Sequence, residues 1–585
     1  MHVLATAGHV DHGKSTLIRA LTGMEPDRWA EERRRGMTID LGFAWTELPG
    51  GQTVAFVDVP GHEKFVPNML AGIGAVPAAM LVVAADEGWM PQSGEHVDAL
   101  HALGVSRGLL VVTRSDLMDP ELAREEALEH LAGTSLADVP AVCVSGATGE
   151  GIDELRAAIS GLVAALPPPD STAAVRLWVD RAFTIKGAGT VVTGTLPAGT
   201  LRVGDELELS PGRGRVTVRG LQSLGEPVET ASAVARVALN LRGVSLDAVH
   251  RGCALLSPGS WLSTRTVDVR LSGDPAAELP RHIVLHAGSA AVPVRVRPLG
   301  DDTARLVLER ALPLRIGDRA LLRDPGAHRI PAGVTVLDVR PTALGRRGAA
   351  AARATELSTM DGVPDGAAEL RRRGLLRRSE LVAMGADVPR NAPEAAGWLA
   401  DPDVLAERAR RLSSAVASYA TTNPLEPGMP AEAARQVAGV PDARLVELLL
   451  GSQLSLRDGR VHHGAPRAEL PPAVARAVTT VREELAARPF AAPDANRLVE
   501  LGLGSKQLAA AVRAGELLKV ADGVFLAPGA DDDAAARLTV LDSPFTLSQA
   551  RQALDTTRRV AVPLMELLAR RGITRRHSDG THELR

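Results

Sequence analysis

Gly8-His9-Val10-Asp11-His12-Gly13-Lys14-Ser15-Thr16 contains the pattern G-x-x-x-x-G-K-[ST], directly after the apolar run His2–Thr6 and before the helix-forming stretch Ser15–Leu21. Residues in that order hold a polyphosphate. Backbone N–H groups of the Gly-rich turn and of the helix N-terminus face the phosphate oxygens. Lys14 reaches the β and γ phosphates, and the Ser15 hydroxyl is a ligand for Mg²⁺. Thr38, in Arg35-Gly36-Met37-Thr38-Ile39, follows a charged, Gly-ended stretch that reads as mobile. Its hydroxyl would complete the Mg²⁺ shell when a γ-phosphate is present, which makes a switch. In Asp58-Val59-Pro60-Gly61-His62, Asp58 suits an outer Mg²⁺ contact and the Gly61 N–H suits the γ-phosphate. His62 is expected to orient the attacking water, with Lys14 and Gly61 completing the catalytic set.

The base is read elsewhere. Thr113-Arg114-Ser115-Asp116 ends an apolar run at a position where guanine-reading sites carry Asn-Lys-x-Asp. Asp116 can accept from guanine N1–H and N2–H₂, a donor pair that adenine lacks. The Arg114 stem can cover the purine. Thr113 lacks the carboxamide of Asn, which leaves room for lower affinity. Ser145-Gly146-Ala147 is expected to close over the base oxygen through a backbone N–H. The ligands expected are GTP/GDP with Mg²⁺.

These residues need a scaffold. His2–Thr6, Val54–Asp58, Met80–Ala84, Leu109–Thr113 and Ala141–Val144 read as buried strands of a parallel sheet with helices between them. Leu166-Pro167-Pro168-Pro169 stops that pattern. From 171 to about 345, alternating segments such as Val175–Val179, Thr190–Thr195 and Arg215–Leu221 are punctuated by Gly/Pro turns, which predicts two small β-barrels split near Pro258–Ser260. Beyond about 365 helices dominate. Leu454–Arg457, Leu517–Val520 with Val524–Leu526, and Ile573–Arg575 with His582–Leu584 follow them as short β tags, the pattern of winged-helix modules.

Composition sets the limits. The 585 residues carry a formal charge of −4, so nucleic-acid binding must come from local patches. Apolar residues are 45% and charged residues 23%, a globular balance. With 7 Phe, 6 Trp and 1 Tyr, cores must be built from Ala, Val and Leu, and aromatic stacking platforms for RNA are poorly supplied. Two cysteines, Cys143 and Cys253, make neither a disulfide framework nor a Cys-rich zinc site. No apolar run is long enough to span a membrane and no leader precedes the first motif, so a cytoplasmic, reduced protein without a membrane partner is expected.

Gly8–Thr16, Arg35-Gly36-Met37-Thr38-Ile39-Asp40 and Asp58-Val59-Pro60-Gly61-His62-Glu63-Lys64-Phe65 resemble the translational GTPases related to elongation factor Tu. Thr38–Phe43, Pro67-Asn68-Met69-Leu70-Ala71-Gly72 and Asp180–Thr195 are similar to the bacterial selenocysteine-specific elongation factors. So are Thr556–Val560 and Gly572–Arg576 near the end. The resemblance is strong over 1–345 and looser beyond, where Pro424–Gly428 also stands out. It implies a multidomain fold: an α/β P-loop GTPase domain (1–170), β-barrels at 171–260 and 261–345, then all-α/winged-helix C-terminal modules. The winged helices would occupy 346–422 with a linker, 423–470, 471–532 and 533–585. It further implies a monomer that delivers selenocysteyl-tRNA to the ribosome at UGA codons marked by an mRNA hairpin (SECIS), with GTP hydrolysis releasing the tRNA. The alternative is the same body with another cargo: general aminoacyl-tRNA delivery, initiation, or the GTPase subunit of a sulfate-activating enzyme. The helical tail and Ile185-Lys186-Gly187 argue against it.

A selenol ionises more readily than a thiol, so a cationic pocket would select selenocysteine over serine and, less strongly, over cysteine. Arg181 and Arg236 are the candidates, each in a barrel segment matching that family's amino-acid pocket, with Asp180 expected to orient Arg181. Residues 551–585 hold eight arginines against four acids, a local excess of positive charge that suits RNA phosphates. The expected contacts are Arg551, Thr557, Arg558 and Arg559 around a helix start, and Arg575, Arg576 and His577 on the wing.

Overall fold

The computed structural model describes residues 1–26, 38, 40–62, 65–74, 76–187, 189–212, 214–464 and 470–585. The stretch before Thr38 that reads as mobile in the sequence lies outside them. The described chain divides into two compact units: Met1–Glu369 with Arg377–Arg390, and Leu370–Leu376 with Asn391–Arg585.

The first unit begins with a six-stranded sheet of β1 (His2–Ala7), β2 (Gly42–Glu47), β3 (Thr53–Asp58), β4 (Ala78–Ala84), β5 (Gly108–Thr113) and β6 (Ala141–Cys143), in the order β2-β3-β1-β4-β5-β6. The five strands expected from the sequence are parallel to one another. The sixth, β2, was not anticipated and runs antiparallel to β3 at the edge. The helices are α1 (Lys14–Thr22), α2 (Val66–Ile73), α3 (Pro91–Ala102), α4 (Glu121–Leu131) and α5 (Ile152–Ala164). Successive strand side chains point to opposite faces. Leu4, Phe56, Met80, Val82, Leu109 and Val111 therefore pack on Leu17, Leu21, Ile159 and Val163 of α1 and α5. Val3, Ala5, Val57, Leu81, Val83 and Val112 pack on Leu70, Val97, Leu100 and Leu131 of α2, α3 and α4. Strands covered on both faces explain the nearly unbroken apolar runs. Because all five parallel strands end at one edge, their C-terminal loops converge there, and these loops carry the motifs.

The next segment forms β7 (Arg176–Trp178), β8 (Arg181–Ile185), β9 (Gly189–Leu196), β10 (Thr200–Arg202), β11 (Glu206–Ser210), β12 (Arg215–Ser223), β13 (Glu226–Val228), β14 (Thr230–Ser232), β15 (Ala235–Arg242) and β16 (Ala254–Leu256). Their main sheet runs β7-β16-β11-β12-β15-β9-β8. It curls back on itself where Asp180 N–H donates to Thr193 O at 3.0 Å. Gly194 permits this approach, since a Cβ there would lie 2.5 Å from Trp178 O.

A second barrel is closed, β17 (Ser263–Gly273), β18 (His282–Ala287), β19 (Ala290–Pro298), β20 (Thr303–Pro313), β21 (Arg319–Asp324) and β22 (Arg329–Asp338), in the order β17-β20-β19-β18-β21-β22. Asp268 of β17 is buried and takes Arg305 (2.6 and 2.9 Å) and Arg353 (2.7 Å), and Arg353 also reaches Asp338 at 2.5 Å. Arg353 comes from the helix Ala349–Ser358, so this buried ion network ties that helix to the barrel.

The second unit is helical with short hairpins: Leu454–Arg457 with Arg460–His463, Leu518–Ala521 with Val524–Leu526, and Thr574–Arg576 with His582–Leu584. These are the three tags seen in the sequence. A further small pair, Glu394–Ala395 with Trp398–Ala400, was not seen. The helix Pro402–Thr422, begun by an Asp401 cap, lends Leu412 and Val416 to the core of Met429–Val461, although the sequence reading grouped it with the preceding module. One continuous core runs from Val478 through Phe545 to Leu568, so the last two modules share their interior. No helix among the described residues is long and apolar enough to cross a membrane.

Candidate functional site

The loop after β1 is held in a shape that few residues permit. Gly8 has φ +133°, and a Cβ there would sit 2.2 Å from Val82 O. Gly13, at φ +80°, begins α1 in the left-handed region that glycine adopts without strain. Lys14 is buried, and its Nζ donates to Gly8 O at 2.9 Å and His9 O at 2.6 Å. Gly61 comes in from the end of β3, where a Cβ would lie 2.5 Å from Val10 N and 2.6 Å from Lys14 Nζ. Its backbone thus stands beside the lysine.

Ser15, Thr38 and Asp58 converge at the same place. Ser15 Oγ lies 3.1 Å from Thr38 Oγ1 and donates to Asp58 Oδ2 at 2.8 Å. Thr6 Oγ1 donates to the other Asp58 oxygen at 2.7 Å and accepts from Val59 N–H at 3.2 Å, which fixes the carboxylate. Two hydroxyls and one carboxylate, all oxygen donors, fit a small hard cation such as Mg²⁺ that keeps waters in its shell. Among the described residues no group of three or more His, Cys, Asp or Glu side chains is placed to hold a metal, so this mixed set is the candidate.

A cleft of about 730 Å³ opens over these groups. Of the residues expected to bind nucleotide, Val10, Asp11, Gly13, Lys14, Ser15, Thr16, Thr113, Arg114, Asp116, Gly146 and Ala147 line it, together with Thr38 and Gly61. Gly8, His9, His12 and Ser145 do not. His12 is turned inward, its Nδ1 3.3 Å from Val82 O and its ring 5.0 Å from that of His9. Burial pushes His12 down to about 4, so the ring is neutral, and burial lowers His9 as well. Ser145 is buried, and its hydroxyl accepts from Ala147 N–H (3.3 Å) and Thr148 N–H (3.1 Å), which shapes its own loop. His62 is not in the lining either; its ring packs 5.9 Å from that of Phe65.

The base loop shows two features the sequence did not. Thr113 Oγ1 donates to His12 O at 2.8 Å, so the threonine ties β5 to the phosphate loop. The Arg114 guanidinium is held by Asp86 (2.9 Å), Glu87 (2.8 Å) and the Asp11 carbonyl. Only its stem is left to cover a base. The two acids outweigh burial and push Arg114 above its ordinary range.

The barrel arginines lie at the seam where β2 and β3 meet β8, β12 and β15, around a small pocket of about 150 Å³. Here the structure corrects the expected pairing. Asp180 binds Arg236, through two hydrogen bonds, and accepts from Thr193 Oγ1 at 2.7 Å. Arg181 instead donates to Asp40 (2.9 Å) and to Leu41 O (2.9 Å). Asp180 and Arg181 are consecutive at the start of a strand, so their side chains diverge. Both guanidinium groups approach Phe43 of β2, Arg236 at 3.8 Å and Arg181 at 5.7 Å from the ring centre. Sequence reasoning missed Phe43, Asp40 and Arg251. Arg251 contacts Asp40 (2.7 Å), Asn68 and Asp180 O (2.7 Å), joining the segment after Thr38 and α2 to the barrel. No local pattern marks it.

In the last module the helix Arg558–Arg570 starts at Thr557, whose side chain makes no cap hydrogen bond. Arg558, Arg575 and Arg576 are exposed, the last two on the hairpin, and Arg551 lies in the last turn of Leu547–Ala553. Arg559 departs from the expectation. It donates to Ala492 O (2.5 Å), Pro493 O (3.0 Å) and Gly523 O (3.2 Å), which fastens this module to the one before. His577 pairs with Glu583 at 3.1 Å.

Four family models match along the chain: the elongation factor Tu GTP-binding domain over 1–165, elongation factor Tu domain 2 over 189–256, the selenocysteine-specific elongation factor β-barrel domain over 264–343, and the elongation factor SelB winged helix over 538–582. The selenocysteine-specific elongation factor of Desulfomicrobium baculatum is 39% identical over 57% of this chain and 55% of its own length. That of Escherichia coli K12 is 36% identical over 79% of this chain and 77% of its own. A crystal structure of a bacterial selenocysteine-specific elongation factor, EF-Sec, covers all of both chains with a TM-score of 0.79 at 24% identity, a likeness of fold. SelB from Methanococcus maripaludis, solved with the GTP analogue GppNHp, covers 58% of this chain at 26% identity and a TM-score of 0.52. With a GTP-binding domain, two β-barrel domains and a terminal winged helix matched in order, the chain belongs to the family of selenocysteine-specific elongation factors.

Proposed function

We propose that this protein binds GTP with Mg²⁺, carries selenocysteyl-tRNA to the ribosome at UGA codons marked by a SECIS hairpin, and hydrolyses GTP on delivery. It acts as a cytoplasmic monomer. Asp116 reads guanine, Gly146 and Ala147 close over the base, and Lys14 with the N–H groups of Val10–Thr16 holds the phosphates. Ser15, Thr38 and Asp58 hold Mg²⁺, which offsets phosphate charge when bound. The Gly61 N–H takes the γ-phosphate, and His62 swings from Phe65 to orient the water once the ribosome is engaged. The observation that carries the cargo assignment is the arginine pair at the seam, Arg236 and Arg181, stacked on Phe43 within a small pocket. A preorganised cation suits a selenolate and has less to offer a neutral hydroxyl. The winged-helix match at 538–582 supports this reading over the same body with another cargo. Arg558, Arg575, Arg576 and the open helix start at Thr557 would bind the hairpin's phosphates.

Protection of the aminoacyl ester tests the cargo. With GTP bound, spontaneous deacylation of selenocysteyl-, cysteinyl- and seryl-tRNA on one tRNA body is expected to slow for the first alone. Equal protection of all three removes the anion-pocket argument, and no protection rejects tRNA delivery.

A further inference from the structure

Glu95 and His96 are consecutive residues of α3. His96 is 1% exposed, and its Nδ1 accepts the Gly8 N–H at 2.9 Å. Burial pushes it down to about 3, so the ring is neutral and its proton sits on Nε2. The Gly8 carbonyl accepts from Lys14 Nζ. Gly8 of the phosphate loop is thus held from α3 through its N–H and joined to Lys14 through its carbonyl. Glu95 Oε1 accepts from Nε and a terminal nitrogen of Arg323, each at 3.2 Å, in a largely buried pair. Arg323 belongs to β21 of the closed barrel. The barrel presses on the same helix elsewhere: a Cβ on Gly333 would lie 2.5 Å from Ala102 O, and Leu321 completes the core beneath α3.

We propose that α3 is a relay through which the second barrel sets the phosphate loop: Arg323 grips Glu95, and His96 holds Gly8, whose carbonyl in turn holds Lys14. Both α3 residues are positioning residues. Neighbours within a hydrogen-bonded helical turn move together, so a shift of β21 felt at Glu95 arrives at His96. The Gly8 N–H is buried and must follow its acceptor or lose its hydrogen bond. The inference rests on reading the cleft as the nucleotide site.

The test is the dissociation rate of N-methylanthraniloyl-GDP from the full-length protein, with thermal melting as a control for folding. Failure of the wild type to bind the probe overturns the nucleotide reading itself. If it binds, Arg323→Met and His96→Leu are each expected to speed release about tenfold, and their double variant no more than either alone, as coupled positions do. His96→Asn, whose carboxamide oxygen can accept the same N–H, should restore the rate to within about twofold. Should His96→Leu not fold, Glu95→Gln replaces it and must match Arg323→Met without adding to it. An unchanged rate in Arg323→Met, or multiplying effects in the double variant, overturns the relay.

Discussion

Arg236 and Arg576 carry the same guanidinium into opposite surroundings. Arg236 is 11% exposed, held by Asp180 and laid on Phe43. Arg576 stands in water on a two-stranded hairpin, across from His582. A buried cation must be paired to be tolerated, and its partner fixes its direction. An exposed one is free to move and is screened by salt. Under the proposed function, the seam would discriminate one small anionic group and the terminal hairpin would gather phosphates along a backbone. The nucleotide cleft lies closer to the seam in character, with Lys14 and Asp58 buried and every oxygen donor held by a neighbour.

The contrast can be broken in order of effect. His62→Ala should bind GTP normally and lose about a thousandfold in ribosome-stimulated single-turnover hydrolysis, the range for removing a positioned catalytic group; undiminished turnover removes His62 from the chemistry. Asp180→Asn strands a buried Arg236 and should cost about 3 kcal/mol in urea unfolding, with selective ester protection lost as well. If stability is unchanged, the seam arginine is solvated like those of the hairpin and the comparison fails. Arg575→Ala with Arg576→Ala should weaken hairpin RNA binding by about tenfold at low salt and lower the salt dependence by about two charges, with basal GTP binding untouched. Gel shifts across a salt series measure both.

The smallest effect is in pH. Burial holds His12 and His286 near 4 and His96 near 3, all below the ordinary 6.5. Their unfolded forms take up protons first as pH falls, so the stability they confer is complete above 6.5 and drains away as pH drops from there toward 4. Hydrogen exchange should show the first unit loosening over that window. No change between pH 7 and 5 would mean these rings are hydrated.

Much of the nucleotide site was legible because its parts are contiguous. Gly8, Gly13 and Lys14 act through one loop and one helix start, and a loop's backbone geometry is written in its own glycines. Thr38 and Asp58 needed no contact prediction, since their motifs mark them. Legibility failed where a contact crosses the chain. Arg114 was read for its stem over the base, and nothing in the sequence marked Asp86 and Glu87 as the acids that hold its head. Arg559 was read with the RNA contacts, yet it fastens two modules through backbone carbonyls. The edge strand β2 was missed although Phe43, which lies on it, meets both barrel arginines.

The sequence by itself determined the parallel strands, the phosphate loop, the two β-barrels and the helical modules with their hairpins. Each of these follows from local periodicity, turn residues and short motifs, which act over a few residues. Only the tertiary structure decided who pairs with whom. Asp180 takes Arg236, 56 positions away, and leaves its neighbour Arg181; Arg251 reaches Asp40 across 211 positions; and His96 holds Gly8 across 88. Adjacent strand residues face apart while distant ones are brought face to face, so which charges meet at the seam and beneath the cleft is set by packing, which no local pattern records.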